Sequence, residues 1–238
     1  MVDILLGDAH NPLRASTIKR GLEVKVKYEH SRSIDPADIA AEYEGIGEIG
    51  RAADRIHEKG SRLIAEPKTR EEGRTLLRKA QQMYLKAGDI DGALKTLYRT
   101  FTVMERMREY VLAEESLDEF TALALRWREF GSAISGAQHA VATYKTTGIT
   151  ERLRHAEERL AHVEEELRAF ARSHFNHARE LIDKGNDVPA ALEIAKTFRI
   201  LRDAGHRDEF EGEIKDFVNL FVMKLNAFPA AKILVDAL

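Results

Sequence analysis

The sequence predicts an all-α fold, in which antiparallel helical hairpins follow a short N-terminal arm of residues 1–34. Three observations support this class. From residue 35 onward the chain is rich in Ala, Leu, Glu, Arg and Lys, which are strong helix formers. Its breaks are glycines, and each follows an apolar or aromatic residue by four positions. In the longest unbroken segment apolar residues recur at spacings of three, four and seven, the pattern of a helix with one buried face.

The composition excludes several function classes. The 238-residue chain has a formal net charge of −3, with acids and bases interspersed, so no global field attracts nucleic acid or an anionic membrane. The absence of cysteine excludes disulfides, thiolate zinc sites and cysteine nucleophiles. The N-terminal stretch does not resemble a secretory signal, and no window holds the roughly 18 apolar residues of a membrane span. We therefore expect a cytoplasmic protein with neither a membrane nor a nucleic-acid partner.

Residues 22–29 of the arm, "LEVKVKYE", are the best strand candidate. Leu22, Val24, Val26 and Tyr28 alternate with charged residues, which is the two-residue period of a strand with one apolar face. Two interpretations stay open. The arm is either irregular and lies on the helices, or it is an edge strand whose residues Val24, Val26 and Tyr28 pair with a partner or a second copy.

The helical domain, residues 35–238, begins at "DPAD". Asp35 can cap the first free amides, Pro36 suits the first helical position, and Asp38 complements the positive helix end. Beyond it, glycine can take the left-handed turn that ends a helix without steric cost. The predicted helix ends, each with its preceding apolar residue, are Ile56 and Gly60, Tyr84 and Gly88, Trp127 and Gly131, Tyr144 and Gly148, Leu181 and Gly185, and Leu201 and Gly205.

Three stretches share a packing pattern around these glycines, with bulky and small residues before the turn and a small residue five positions after it. The residues at the corresponding positions are Leu77, Ala80, Gln81, Tyr84, Ala93, Leu97 and Thr100; Phe120, Leu123, Ala124, Trp127, Gly136, Ala140 and Thr143; and His174, His177, Ala178, Leu181, Ala190, Ile194 and Thr197. In the middle stretch Gly136 and Ala140 depart from the pattern, because they replace the usual alanine and aromatic residue. This pattern resembles the tetratricopeptide repeat (TPR). The resemblance implies hairpins stacked as a right-handed superhelix, an α-solenoid. The glycines lie 43 and 54 residues apart, against roughly 34 in that repeat, so the resemblance is to a divergent, long-helixed relative.

The resemblance also implies a function. In TPR proteins the first helix of each unit lines a groove that receives peptides, which makes this chain a non-enzymatic adaptor or scaffold. The corresponding groove residues are Arg78, Gln82, Lys86, Arg172, Phe175 and Arg179. Such a groove would be mildly basic, and arginine forks suit carboxylates, so an acidic peptide is the implied ligand.

Several motifs suggest chemistry but lack the context that the chemistry needs. In "GIGEIG" the glycines Gly45, Gly47 and Gly50 match a dinucleotide fingerprint, but a helix start precedes them instead of a buried strand, so we expect a kink or a close helix crossing. Walker, His-Glu-x-x-His and Gly-x-Ser-x-Gly motifs are absent from the sequence, and we expect no cofactor.

Histidines occur in two groups in the longest helical segment. His155, Glu158, His162 and Glu165 form a ladder that is typical of a solvated, salt-bridged face, because no histidine has a glutamate three places ahead of it, as di-metal bundles require. We therefore expect no metal site. A second group, His174 and His177, occupies packing positions, and we expect a hydrogen-bonded interior pair.

"RSHFNH", which spaces Arg172 five residues before His177, resembles the Arg-x4-6-His signature of the HEPN ribonucleases. A helical ribonuclease around these residues is one alternative function, although an arginine-rich chain produces such spacings by chance.

The apolar C-terminus leaves a further alternative open. We expect Phe217, Leu220, Phe221 and Leu225 in the core, and Ile233, Leu234 and Leu238 at the interface of a homodimer or partner complex. A self-assembling structural subunit is therefore a second alternative function.

Overall fold

A computed structural model of the chain describes residues 20, 21, 23, 24 and 34–237. This part is all-α, as predicted, and no strand occurs in it. From Pro36 onward its ten α-helices are α1 Pro36–Gly45, α2 Ile49–Leu63, α3 Arg70–Ala87, α4 Ile90–Arg106, α5 Tyr110–Arg126, α6 Phe130–Thr147, α7 Thr150–Asp183, α8 Asp187–Asp203, α9 Arg207–Asn219 and α10 Phe228–Val235. A π-helical turn, Leu220–Lys224, lies between α9 and α10. None of these helices is both long and apolar enough to cross a membrane.

Helix α1 begins as predicted. The Asp35 carboxylate accepts a hydrogen bond of 2.9 Å from the Ala37 N–H, and Pro36 occupies the first helical position. Asp38 lies in the first turn, where its charge complements the positive helix end. The local sequence therefore determines where α1 starts.

Seven turns between the described helices share one conformation. In each, one residue has a φ between 62° and 81°, and the next N–H donates to the carbonyl five residues earlier at 2.8–3.3 Å. This is a Schellman-type helix end. The left-handed residues are Gly47, Gly88, Arg108, Arg128, Gly148, Gly185 and Gly205. Positions 88, 108, 128 and 148 are 20 residues apart, so a helical hairpin in this region takes 40 residues.

Two of the predicted helix ends are wrong. Gly60 lies inside α2 and Gly131 inside α6. Both are positions of close approach: a Cβ on Gly60 would lie 3.0 Å from the Leu77 amide nitrogen, and one on Gly131 would lie 3.0 Å from the Asp203 carbonyl oxygen. The turn expected at Gly131 is made three residues earlier by Arg128.

The turn at Arg128 shifts the alignment of the second predicted repeat by three residues. The carbonyl that closes the turn belongs to Tyr84 in the first repeat and to Ala124 in the second. Trp127, predicted as the packing aromatic, therefore lies just beyond the last residue of α5. By the same shift the position that corresponds to Thr100 is Ala140 and not Thr143.

The strand predicted for residues 22–29 is wrong where the structure describes it, because Glu23 and Val24 are helical. A helix satisfies its backbone hydrogen bonds within its own segment, whereas a strand needs a paired neighbour. Val24 is buried. The rest of this stretch, with Val26 and Tyr28, lies outside the described residues.

The chain divides into two compact units, one ending at Phe120 and the other covering Thr121–Leu238. In the first unit α1 packs on α2, α2 on α3 and α3 on α4, and α2 also meets α4. Gly73 permits a close approach between α3 and the end of α2, because a Cβ there would overlap the backbone of Ile64. The largest fully buried side chains of this unit are Ile64, Leu77, Phe101, Met104 and Leu117.

In the second unit the long helix α7 packs on both α6 and α8, which also meet each other. Its 34 residues, Thr150–Asp183, confirm the long helix predicted for this segment. Helix α8 packs further on α9 and α10. The aromatic core of this unit consists of Tyr144, Phe175, Phe198 and Phe221, all fully buried.

The C-terminal stretch is partly core and partly surface. Phe217 and Phe221 are buried as predicted, whereas Leu225 is exposed. Leu234 is fully buried within its own chain, because α10 packs on α8, so its predicted place in an interface is wrong. Of the other two residues predicted there, Ile233 is half-buried and Leu238 lies outside the described residues.

Candidate functional site

The predicted groove residues of the first unit are exposed on α3. Arg78, Gln82 and Lys86 lie four residues apart along this helix. Arg78 also lines a small polar cleft of about 40 Å³. The charged residues of the cleft are Arg74 and Arg78 of α3 and Glu115 and Glu119 of α5. Two glutamates thus balance two arginines, and the cleft has mixed charge instead of the basic character predicted for the groove.

The predicted groove residues of α7 are already engaged within the chain. Phe175 is fully buried against Phe210 and Phe217, with ring centroids 5.9 and 6.0 Å away, so it is a core residue and its predicted place in the groove is wrong. Arg172 pairs with Glu165 at 3.4 Å. Arg179 forms an ion pair with Glu213 of α9. Both predicted groove arginines of this helix therefore already have an acidic partner within the chain.

Only one of the two packing-position histidines is interior. His174 is half-buried, binds Glu193 through Nδ1 and lies 4.2 Å from the Phe170 ring centroid. The His177 side chain is 56% exposed, 3.9 Å from Glu180. No hydrogen bond joins either histidine to Arg172 in the described part of the chain, where Arg172 pairs with Glu165 and His174 with Glu193.

The other two motifs have structural roles in the described residues. Of the glycines of "GIGEIG", Gly47 makes the turn between α1 and α2 with a φ of 81°, while Gly45 ends α1 and Gly50 lies inside α2, which corrects the kink or crossing expected there. On the exposed ladder of α7, Glu158 pairs with Arg154 at 2.6 Å. Within the described ranges, no group of three His, Asp or Glu side chains is placed to hold a metal ion.

A polar cluster joins α2, α3 and α4 in the first unit. The Tyr84 hydroxyl donates to Asp54 at 2.7 Å, and His57 Nδ1 lies 2.9 Å from the Thr96 hydroxyl. Thr96 donates its one proton to the Gly92 carbonyl at 2.8 Å, so His57 must donate from Nδ1. Burial lowers the pKa of His57 and raises the pKa of Tyr84, which keeps both neutral near pH 7. These groups cross-link three helices.

A much larger cleft, of about 650 Å³, opens in the second unit beside the turn between α5 and α6. Its lining residues are Trp127, Arg128, Glu129, Phe130, Gly131 and Ser132 from the turn and the start of α6, and Lys196, Ile200 and Asp203 from α8. Trp127 is the single tryptophan of the chain and is 51% exposed. We refer to this opening as the Trp127 cleft.

The shape of the Trp127 cleft follows from the anchoring of its turn. Gly131 lets the start of α6 approach the Asp203 carbonyl closely. Phe130 packs on Phe170 of α7 with ring centroids 5.2 Å apart, and the Arg128 guanidinium lies 5.0 Å from the same ring. Because Arg128 and Phe130 are turned toward α7 in this way, Trp127 is left facing outward.

The charges around the Trp127 cleft are unevenly paired. Lys196 and Arg199 lie three residues apart on one face of α8, both exposed and without an acidic partner in the described part of the chain. Arg128 contacts Phe170 but no carboxylate. Of the two acids in the lining, Asp203 already pairs with Arg202 at 3.4 Å, which leaves Glu129. The cleft therefore has more unpaired positive than unpaired negative charge.

The sequence contained a signal for this site that glycine spacing does not reveal. "REY" at residues 108–110 and "REF" at 128–130 repeat after 20 residues, and in both the arginine is left-handed and the aromatic residue begins a helix. This repeat would have placed Trp127 at a helix end. No protein-family model matches the chain, and a comparison with curated proteins finds no significant match.

Proposed function

We propose that the chain is a non-enzymatic protein-interaction module, built of TPR-like helical hairpins stacked in the manner of an α-solenoid, which binds a peptide or a segment of a protein in the Trp127 cleft. The hairpin part of this proposal is supported by the uniform turns at 20-residue intervals. Contacts of α2 with α4 and of α6 with α8, each two helices apart in sequence, also support stacking within each unit. The hairpins are longer than the roughly 34 residues of the TPR.

The observation that carries the binding function is the half-exposed tryptophan in a cleft of ligand-binding size. Ligand pockets typically have volumes of about 300–1,000 Å³, and this cleft is within that range. Tryptophan is enriched among the residues that dominate binding energy, because its large rigid surface loses little conformational freedom on binding. Leaving it half in water stabilises nothing in the isolated chain, whereas covering it with a ligand would be favourable.

The single tryptophan provides a direct test. A random dodecapeptide library displayed on phage is selected on the full chain, and enriched peptides are synthesised without tryptophan. We expect the bound peptides to shift Trp127 emission to shorter wavelength and to bind Trp127→Ala at least about ten-fold more weakly.

Val111→Ala is the matched control, since Val111 is also an exposed apolar residue near a helix start but lies outside the cleft. This variant should bind like the wild type. Peptides that leave the emission unchanged and bind Trp127→Ala normally would refute the assignment of the site, and a failure to enrich any peptide would refute the function.

Self-assembly is a second candidate, favoured by apolar side chains around the π-helical turn. Met223 and Phe228 are 79% and 61% exposed, and Leu225 between them is exposed as well. If these residues meet a second copy, light scattering will give a mass above one chain, and Phe228→Asp will reduce it to one chain. A wild-type mass equal to one chain would exclude this candidate.

A further inference from the structure

We infer that the Trp127 cleft selects an acidic segment that carries one large apolar side chain. This inference rests on the proposed function and adds the chemistry of the partner to it. Three features of the cleft combine to support it: the unpaired cations, the apolar lining and the dimensions of the exposed face of α8.

The charge preference follows from which side chains the chain leaves unpaired. Lys196, Arg199 and Arg128 have no carboxylate partner in the described part of the chain, while Glu129 is the one unpaired acid in the lining. A ligand carboxylate would supply the missing partner, and a guanidinium can bind it through two parallel hydrogen bonds. A cationic ligand would instead meet the like charges of Arg128 and Lys196 in the cleft and of Arg199 beside it, which opposes its binding.

The apolar requirement follows from the residues that surround these cations. Trp127 and Ile200 line the cleft, and Leu192 is 55% exposed two turns earlier on α8. Lys196 lies midway between Leu192 and Ile200, four residues from each. The exposed face of α8 thus alternates apolar, basic and apolar side chains. A ligand with only acidic groups would leave this apolar surface in water.

The length of this face indicates how much of a ligand it contacts. Leu192 and Ile200 are eight residues apart, which corresponds to about 12 Å along a helix. An extended chain covers that distance in about four residues. We therefore assign recognition to a short segment, in which one large apolar side chain contacts Trp127 and flanking Asp or Glu residues contact Lys196 and Arg199.

A peptide is favoured over a nucleic acid by the limited extent of the basic surface. Nucleic-acid binding needs cations that follow the backbone over several phosphates. Beyond the cleft, Arg154 and Arg168 of the neighbouring helix α7 are paired with Glu158 and Glu209. At the cleft the unpaired cations are only Arg128 and Lys196, with Arg199 beside them on α8, and so few cations suit a short acidic segment.

The test uses the full chain and four labelled probes of twelve units. The first is a peptide of Glu and Ser with one central Phe; the second replaces Glu by Lys; the third replaces Phe by Ala; the fourth is oligothymidylate. Binding is measured by fluorescence anisotropy, and occupancy of the cleft by Trp127 emission. We expect the first probe to bind, with a blue shift of Trp127 emission and affinity that falls as salt rises. The second and third should bind at least about ten-fold more weakly.

Two surface variants locate the charge effect. Lys196→Glu should weaken binding of the first probe about ten-fold or more. Lys145→Glu makes the same charge change near the other end of α6, also at an exposed residue without a partner in the described part, and should leave the affinity nearly unchanged. Circular dichroism confirms that both variants are folded.

The outcomes separate this inference from the proposed function. If the basic peptide binds the cleft as well as or better than the acidic one, or if Lys196→Glu has no effect, the acidic preference is wrong while the cleft stays a peptide site. If oligothymidylate binds as tightly as the first peptide, the cleft recognises anions in general and the assignment to a peptide is overturned. If neither these peptides nor those of the phage selection change Trp127 emission, the proposed function itself is wrong.

Discussion

Four turns of the chain have the same backbone conformation, but glycine occupies two of them, at positions 88 and 148, and arginine the other two, at positions 108 and 128. Their φ angles are 75° and 72° at the glycines and 62° at both arginines. Glycine adopts this conformation without steric cost, whereas a residue with a Cβ is strained by roughly 1–2 kcal/mol. The comparison shows that the spacing and packing of the helices impose the turn and that the residue at the turn need only tolerate it.

The two arginine turns differ in what the side chain does. Arg108 is exposed and makes no hydrogen bond or ion pair in the described part of the chain. Arg128 lies over Phe170 beside the Trp127 cleft. We interpret the turn at Arg128 as one in which a contact of the side chain offsets part of the backbone strain, while Arg108 has no such compensation.

The largest effect should come from adding a branched side chain to a glycine turn. Gly148→Val should lower the free energy of unfolding by about 2 kcal/mol, because valine resists a positive φ. A Cβ on Gly148 would have no neighbour within 4 Å, so the loss would report backbone strain alone. Urea denaturation monitored by circular dichroism measures it.

Gly212→Val is the matched control for this substitution. Gly212 lies inside α9, and a Cβ there also meets nothing within 4 Å. Valine has a somewhat higher helix propensity than glycine, so this variant should be as stable as the wild type or slightly more stable. Equal losses in the two variants would show that the left-handed turn is not the cause.

These turns also explain how much the sequence could predict. The all-α class, the start of α1 and the turns at Gly88, Gly148, Gly185 and Gly205 were predictable because the signals are local: a cap, a helix-period pattern and a residue without a Cβ. Arg108 and Arg128 were missed because arginine has no intrinsic preference for the left-handed region. Their conformation is imposed by the helices on either side, which is a tertiary effect.

Because the turn was predicted at Gly131 instead of Arg128, the prediction of the binding site was also wrong. A turn at Gly131 assigns Trp127 to a packing position, so the predicted groove residues lie on α3 and α7 and not beside Trp127. Which arginines are paired could not be read from the sequence either, because Arg179 meets an acid 34 residues away on another helix. Exposure and pairing of charges depend on packing between elements, so the Trp127 cleft became visible only in three dimensions.

A smaller effect of opposite sign is expected at the uncompensated arginine turn. Arg108→Gly should raise the free energy of unfolding by about 0.5 kcal/mol, because relief of strain exceeds the greater conformational entropy that glycine adds to the unfolded chain. The measurement is again urea denaturation. Glu109→Gly adds the same flexibility at the neighbouring exposed residue and also removes the 3.1 Å ion pair with Arg70, so it should destabilise. If Arg108→Gly is also destabilising, the strain at the arginine turns is smaller than the conformation implies.

The smallest effect should be at Arg128. Arg128→Gly relieves the same strain but removes the contact with Phe170, which is worth about 0.5–1 kcal/mol at an exposed site, so the two terms should nearly cancel. A double-mutant cycle separates them: in a Phe170→Leu background, Arg128→Gly should stabilise by about as much as Arg108→Gly does in the wild type. The Phe170→Leu substitution also weakens the contacts of this residue with Phe130 and His174. That loss is the same in the single Phe170→Leu variant and in the double variant, so it cancels when the two are compared. An unchanged effect of Arg128→Gly in the two backgrounds would mean that the stacked guanidinium does not offset the strain, and Arg128 would then be equivalent to Arg108.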